Sequence, residues 1–219
     1  MKKTKPYFML VIYFFSVVIP IFSVVVRALL PHVLHTTFSE PALIGIEYTL
    51  LFCITMSLYG KDVWNSFAYL KQKPFKKIFF VLFLYISSLL LLFVLLYVLD
   101  IPPEQTENNQ IVLEYIKSVP FLWALILISV FGAIVEEVVF RHIMIGHFSK
   151  KIPTFIATAL SMTCFVLLHS FHYPELVHYI PLTLMITTSY LVSGKNMSIS
   201  FLFHFINNAI SVIALYYQP

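Results

Sequence analysis

Residues 131–141 read FGAIVEEVVFR, two adjacent carboxylates and an arginine set in an otherwise apolar helical stretch. An ionised side chain at bilayer depth costs at least ~2.5–3.5 kcal/mol. Three within one short stretch therefore require partners or a task. On an α-helix Glu137 and Arg141 stand at i,i+4 and neutralise each other, whereas Glu136 points about 100° away, on the stripe of Gly132 and Phe140. That leaves Glu136 as the carboxylate free for chemistry. The plainer alternative is a buried ion pair with a spectator neighbour, and the histidines downstream weigh against it.

Working outward, the 219-residue chain is 60% hydrophobic and 11% charged, with a mean hydropathy of +0.90. A soluble domain carries roughly 25% charged residues, so this is a polytopic membrane protein, an all-α transmembrane bundle with no room for a separate soluble module. Cys53 and Cys164 fall in apolar spans without CxxC or metal spacing and read as small core residues. The isoelectric point near 9.0 comes from basic residues in short loops, where they orient a membrane chain. The partner they imply is the lipid bilayer, and nothing points to nucleic acid.

About seven spans are predicted. MKKTK and the apolar run 7–26 form a retained first helix, too long for a signal-peptide core and followed by no cleavage site, with a kink at Pro20. A loop follows at 32–41. The second span, 42–59, carries Glu47, which either snorkels to the interface or faces the bundle. Residues 60–77 mix lysines with Trp64, Phe67, Tyr69 and Phe75 and read as a loop lying on an anionic leaflet. The third span, 78–99, has no ionisable residue and faces lipid. Residues 100–118 are polar and acidic, a loop or short surface helix.

The fourth span, 119–148, is longer than a ~30 Å hydrocarbon core requires. The fifth covers 153–171, the sixth ends near 192 and the seventh covers 197–217, with turns at 172–175 and 193–196. Residues 1–118 thus make an N-terminal set of helices and loops, and residues 119–217 a catalytic-type set, within one integrated membrane domain. With the N-terminus inside, the inner segments hold Lys2, Lys3, Lys5, Lys61, Lys71, Lys73, Lys76, Lys77, Lys150, Lys151 and Lys195, and the outer loops hold Lys117 with Arg27 near a span end. That bias predicts a cytoplasmic N-terminus.

Three helices supply polar groups at helical spacing. FVLLH ends at His169, and HFINN places His204 and Asn208 at i,i+4. A carboxylate and an imidazole can hold and deprotonate a water, while an imidazole with an amide can donate to an oxyanion. Depth permits the meeting: counted from the turn at 149–153, Glu136 and His169 lie about 20 and 24 Å along their helices. His204 and Asn208 lie about 10 and 17 Å past 197, so tilt must supply the rest.

EEVVFR, FVLLH and HFINN resemble the EExxxR, FxxxH and HxxxN motifs of the CPBP intramembrane proteases, the family of type II CAAX prenyl proteases and of bacteriocin-processing and self-immunity proteins. The resemblance covers residues 119–217. It implies that Glu136 and His169 activate the attacking water, that His204 and Asn208 stabilise the oxyanion, and that Glu137 and Arg141 support the site. The family commonly has Gly after the Arg, where this chain has His142. The residues also allow a zinc site with Glu136, His169 and His204 as ligands and an open fourth position, although no HExxH is present; the metal-free reading is preferred and no cofactor is assigned.

The resemblance implies an intramembrane endopeptidase acting on a membrane-associated protein or peptide: a prenylated C-terminus, a bacteriocin or signalling-peptide precursor, or a membrane protein; the size and minimal architecture fit a bacterial plasma membrane. The rival readings are a non-enzymatic immunity or interaction protein that keeps the motifs, and a transporter with Glu136 as its proton site. Against the transporter, no repeated halves are found. His32, His35, His142, His147, His172 and His178 read as boundary residues, Phe165 as a packing residue one turn from His169, and Ser170 lacks a GxSxG context.

Overall fold

In a computed structural model, residues 4–102 and 106–218 are described, and among them the regular structure is helical throughout, without strands. Lys2, Lys3, Glu104 and Pro219 lie outside the described residues. The helices are α1 (Lys5–Tyr13, continued as a π-helix over Phe14–Val18), α2 (Ile21–Leu34), α3 (Glu40–Phe67, ending in a 3₁₀ turn over Ala68–Lys71), α4 (Pro74–Val98), α5 (Glu107–Ser118), α6 (Phe121–Lys150), α7 (Thr154–Leu168), α8 (Tyr173–Val192) and α9 (Met197–Tyr216).

Among the described residues four helices, α3, α4, α6 and α9, are long and apolar enough to cross a membrane, and α1 with α2 makes a fifth span if the bent pair is one crossing. Reaching the expected seven would also need α7, at 15 residues, and α8, at 20. These two do not meet the same test of length and hydropathy. The bundle is polytopic, with a count of four to five on these grounds.

The kink expected at Pro20 is a break. The axis turns by 77° between the two halves of the pair, because Ile19 is extended and Pro20 cannot donate to the helix ladder. The helix then resumes and runs to Leu34, through the segment read as the start of a loop at His32. The lysine- and aromatic-rich segment from Gly60 is not a surface loop either. α3 continues through it to Phe67, and Tyr59 and Val63 pack in the core. Helical propensity and the buried face of α3 outweigh the polar composition. Of its two expected placements Glu47 takes the one facing the bundle: its Oε1 accepts from Ser23 Oγ at 2.9 Å and from Arg27 Nε at 3.2 Å.

α6 is the axis of the molecule, touched by α1, α3, α7 and α9, while α4 lies along α8. It is not uniformly α-helical. π turns occupy Leu127–Gly132 and Glu137–His147, on either side of a single α turn at Ala133–Glu136. Such wide i→i+5 turns recur at functional sites. Side chains from neighbouring helices bond two carbonyls of these turns: Ser161 Oγ donates to Phe140 O at 2.7 Å, and Asn208 Nδ2 to Ile128 O at 3.3 Å.

The change of winding also alters the faces of α6. Gly132 shares the cavity with Glu136, but Phe140 turns away into the core, edge-on to Tyr13 and Phe165. The single stripe expected for Gly132, Glu136 and Phe140 is therefore split. His142, standing where the family pattern has Gly, lies edge-on to Tyr59 with ring centroids 5.5 Å apart. The close backbone approach falls one turn later, at Gly146, where a Cβ would lie 2.6 Å from Tyr190 Oη.

Candidate active site

Glu136 closes the short α turn of α6 just as π winding begins, so its side chain leaves the core and enters a cavity of about 600 Å³. His169 caps the C-terminus of α7, and its Nδ1 lies 2.8 Å from the Phe165 carbonyl. A carbonyl only accepts, so this contact places the proton on Nδ1 and frees Nε2. His204, from the third turn of α9, has Nδ1 3.0 Å from Glu137 Oε1 and donates to that carboxylate.

Both Nε2 atoms converge on one oxygen. Glu136 Oε2 stands 3.5 Å from His204 Nε2 and 3.8 Å from His169 Nε2, and it has no hydrogen-bond partner of its own. Two lone pairs cannot face a carboxylate stably. A proton on an imidazole or a water held between the groups satisfies the arrangement.

A less solvated layer lies beneath. Glu137 and Arg141, 2% and 1% exposed, approach to 3.3 Å, and the Arg141 guanidinium also lies 4.5 Å from the centroid of the Phe165 ring. On that ring His169 stacks at 4.4 Å with 23° between planes. Phe165 thus links the buried cation to the imidazole and fixes its plane. Asn208 accepts from Asn207 Nδ2 at 3.2 Å through Oδ1, which directs its own amide N–H groups to Ile128 O and the cavity.

Glu136, His169, His204 and Asn208 therefore share one cavity, with Glu137 and Arg141 behind it. Several lining residues carry no motif and were missed: Tyr48, Thr106, Tyr179 and Asn207. Asn207 had a readable signal, its place beside Asn208 on a polar stripe of an apolar helix. His178, read as a boundary residue, lines the cavity too. Ser170 Oγ is engaged with Val166 O of its own helix at 2.9 Å.

Glu175 was read only as part of a turn. It accepts from the backbone N–H of Glu107 and of Phe171, each at 2.6 Å, and of His172 at 3.4 Å, and so ties the start of α5 to the α7–α8 corner beside His169. A carboxylate in the first turn of a helix is the signal that points to such a role.

The zinc arrangement would need Glu136, His169 and His204 as its three ligands. Among the described residues no three of His, Cys, Asp and Glu stand where they would together hold a metal ion, and no step below runs through one.

Fold and site define a class: a polytopic helical membrane protein with a carboxylate and two imidazoles lining one cavity. Residues 118–210 match the family model described as "Rce1-like: Type II CAAX prenyl endopeptidase Rce1-like". The match covers all three motifs. A curated relative, "Putative membrane peptidase YdiL" of Bacillus subtilis (strain 168), is 35% identical over 66 residues, which are 30% of this chain. The match spans about a quarter of that relative's length, 26%. No solved structure matches. Over residues 118–210, less than half of its length, the chain is similar to this Rce1-like family.

Proposed function

We propose that the protein is an intramembrane endopeptidase that cleaves a membrane-associated protein or peptide with a water activated by Glu136 and His169. The observation that carries this reading is the unpartnered Glu136 Oε2 facing two imidazole Nε2 atoms at the end of the cavity. A water between Glu136 and His169 loses a proton to the carboxylate as its oxygen attacks the scissile carbonyl carbon. The developing oxyanion accepts from His204 and Asn208. For His204 to donate from Nε2 while Nδ1–H is held by Glu137, the ring must carry both protons. As the C–N bond breaks, the proton taken by Glu136 passes to the leaving amine, leaving a carboxylate product and a free amino terminus.

We place the protein in a bacterial plasma membrane with its N-terminus cytoplasmic. Residues 118–210 supply the chemistry, and the helices before them supply wall and roof. The substrates in view are a prenylated C-terminus, a bacteriocin or a signalling-peptide precursor.

The test is co-expression with membrane and secreted-peptide candidates, followed by a search for new termini. Wild type should generate them. Glu136→Gln should cut the rate at least ~10²-fold while the protein still inserts, and His169→Ala should do the same. If both variants keep the full biological phenotype, that phenotype comes from binding, as for an immunity or interaction protein.

A further inference from the structure

The two ends of the bundle carry opposite charge. At one end Lys5 pairs with Asp62 at 3.3 Å, Lys151 meets Tyr7, and Lys195 donates to Ser149 at 2.8 Å. The α3–α4 junction, with Lys71, Lys73, Lys76 and Lys77, and the turns before α7 and α9 lie at this same end. At the other end stand Glu40, Asp100, Glu107, Glu114 and Glu175, with Lys117, and Arg27 engaged by Glu40 and Glu47. In sequence the lysines are scattered over four segments; in the fold they form one face.

The cavity is polar toward only one of these ends. From Glu136, His169 and His204 it runs past Tyr179 and Ser211 to Glu40, Asn108, Asn109 and Glu114. α5 roofs it, with Tyr115 and Ile116 buried against α6 and α9, and Thr106 bonded to Tyr179 Oη at 3.1 Å. At the lysine end the site is closed by the Glu137–Arg141 pair and the packed core beneath it.

Lysine-rich segments are retained on the cytoplasmic side, so the acidic end and the cavity mouth face outward. We propose that the site takes its substrate from the extracytoplasmic side: the outer flank of a membrane-anchored peptide, or a peptide already translocated, entering beneath α5. This rests on the endopeptidase reading and selects among its substrates. A prenylated C-terminus in the cytoplasmic leaflet would meet the closed lysine face, whereas an exported peptide precursor meets the open one.

The experiment has two arms, both on the full chain in intact bacterial cells. In the first, Cys53 and Cys164, both exposed on the bundle, are replaced by Ala, and single cysteines are placed at the mouth (Asn108→Cys, or Glu114→Cys if the first fails to accumulate) and at the opposite end (Lys71→Cys or Lys76→Cys). A membrane-impermeant maleimide should label the mouth in intact cells and the lysine end only after permeabilisation. The reverse pattern overturns the proposal whatever the activity.

In the second arm a single-span anchor carries the same randomised linker library on its outer or its inner flank, and depletion is scored against Glu136→Gln. Cleavage confined to outer linkers supports the proposal. Cleavage of inner linkers alone overturns it and leaves the endopeptidase reading standing. Cleavage of neither, with outward labelling intact, overturns the endopeptidase reading and the substrate assignment with it.

Discussion

Removing Glu137 and Arg141 one at a time and then together measures what the buried layer contributes. Glu137→Leu leaves a guanidinium that is 1% exposed without its anion and leaves His204 Nδ1–H without an acceptor. Arg141→Leu leaves a carboxylate that is 2% exposed without its cation. Breaking a buried pair from one side costs ~3–5 kcal/mol, a large share of a total stability of about 5–15 kcal/mol. Two such losses would sum to roughly 6–10 kcal/mol if they were independent.

In the double variant both charges are gone. What remains is one unpaired N–H, ~1–3 kcal/mol, and the volume lost from Arg141 to Leu, so the expected total is about 3–5 kcal/mol and the coupling ~3 kcal/mol or more. Thermal unfolding of detergent-purified protein, with the membrane-inserted level as a second readout, measures this. The double variant should be about as stable as either single variant and well short of the summed loss, yet stay inactive because His204 has lost its acceptor. A double variant at or below the sum of the singles refutes the pair.

Two further perturbations address the roof and the metal question. Glu175→Gln replaces an acceptor of three backbone N–H groups with an amide that offers one oxygen, so α5 should exchange its amide hydrogens faster while α4 does not; equal rates in α5 of wild type and variant would show that Glu175 does not hold it. Chelator-treated, metal-free protein should keep its turnover, since the donors are not placed as a three-ligand centre; about one equivalent of zinc in purified protein, with activity lost on chelation and restored on adding metal, would reverse that expectation.

The sequence showed the helical class and most of the polar cluster for a simple reason. In an apolar chain each ionisable residue stands out, and counting 1.5 Å per residue from a turn gives its depth. Glu136 and His169 came within a turn of one another on that count, and in the fold they lie 3.8 Å apart. The segment after Gly60 was misread because lysines and aromatics mark an interface only when the backbone lies there, and α3 instead carries them on past the core. The segment 172–175 hid Glu175 because its partners are backbone N–H groups, two of them local and one on another helix, and backbone partners leave no trace in side-chain patterning.

The winding of α6 was the least legible feature and has the largest consequence. Any face assigned from a 3.6-residue period assumes that every turn is α, but one carboxylate here ends an α turn and the next begins a π segment of 11 residues. Both windings keep Glu137 near Arg141, so the buried pair was readable from spacing alone. The faces diverge only beyond it, where Phe140 goes to the core while Glu136 and Gly132 share the cavity. The π turn at Leu127–Gly132 meanwhile places the Ile128 carbonyl where Asn208 bonds it, fixing an amide of α9 against α6. Two adjacent glutamates thus receive opposite surroundings, one a buried arginine and the other an imidazole-lined cavity. In the proposed mechanism that divergence separates a supporting carboxylate from one free to move a proton.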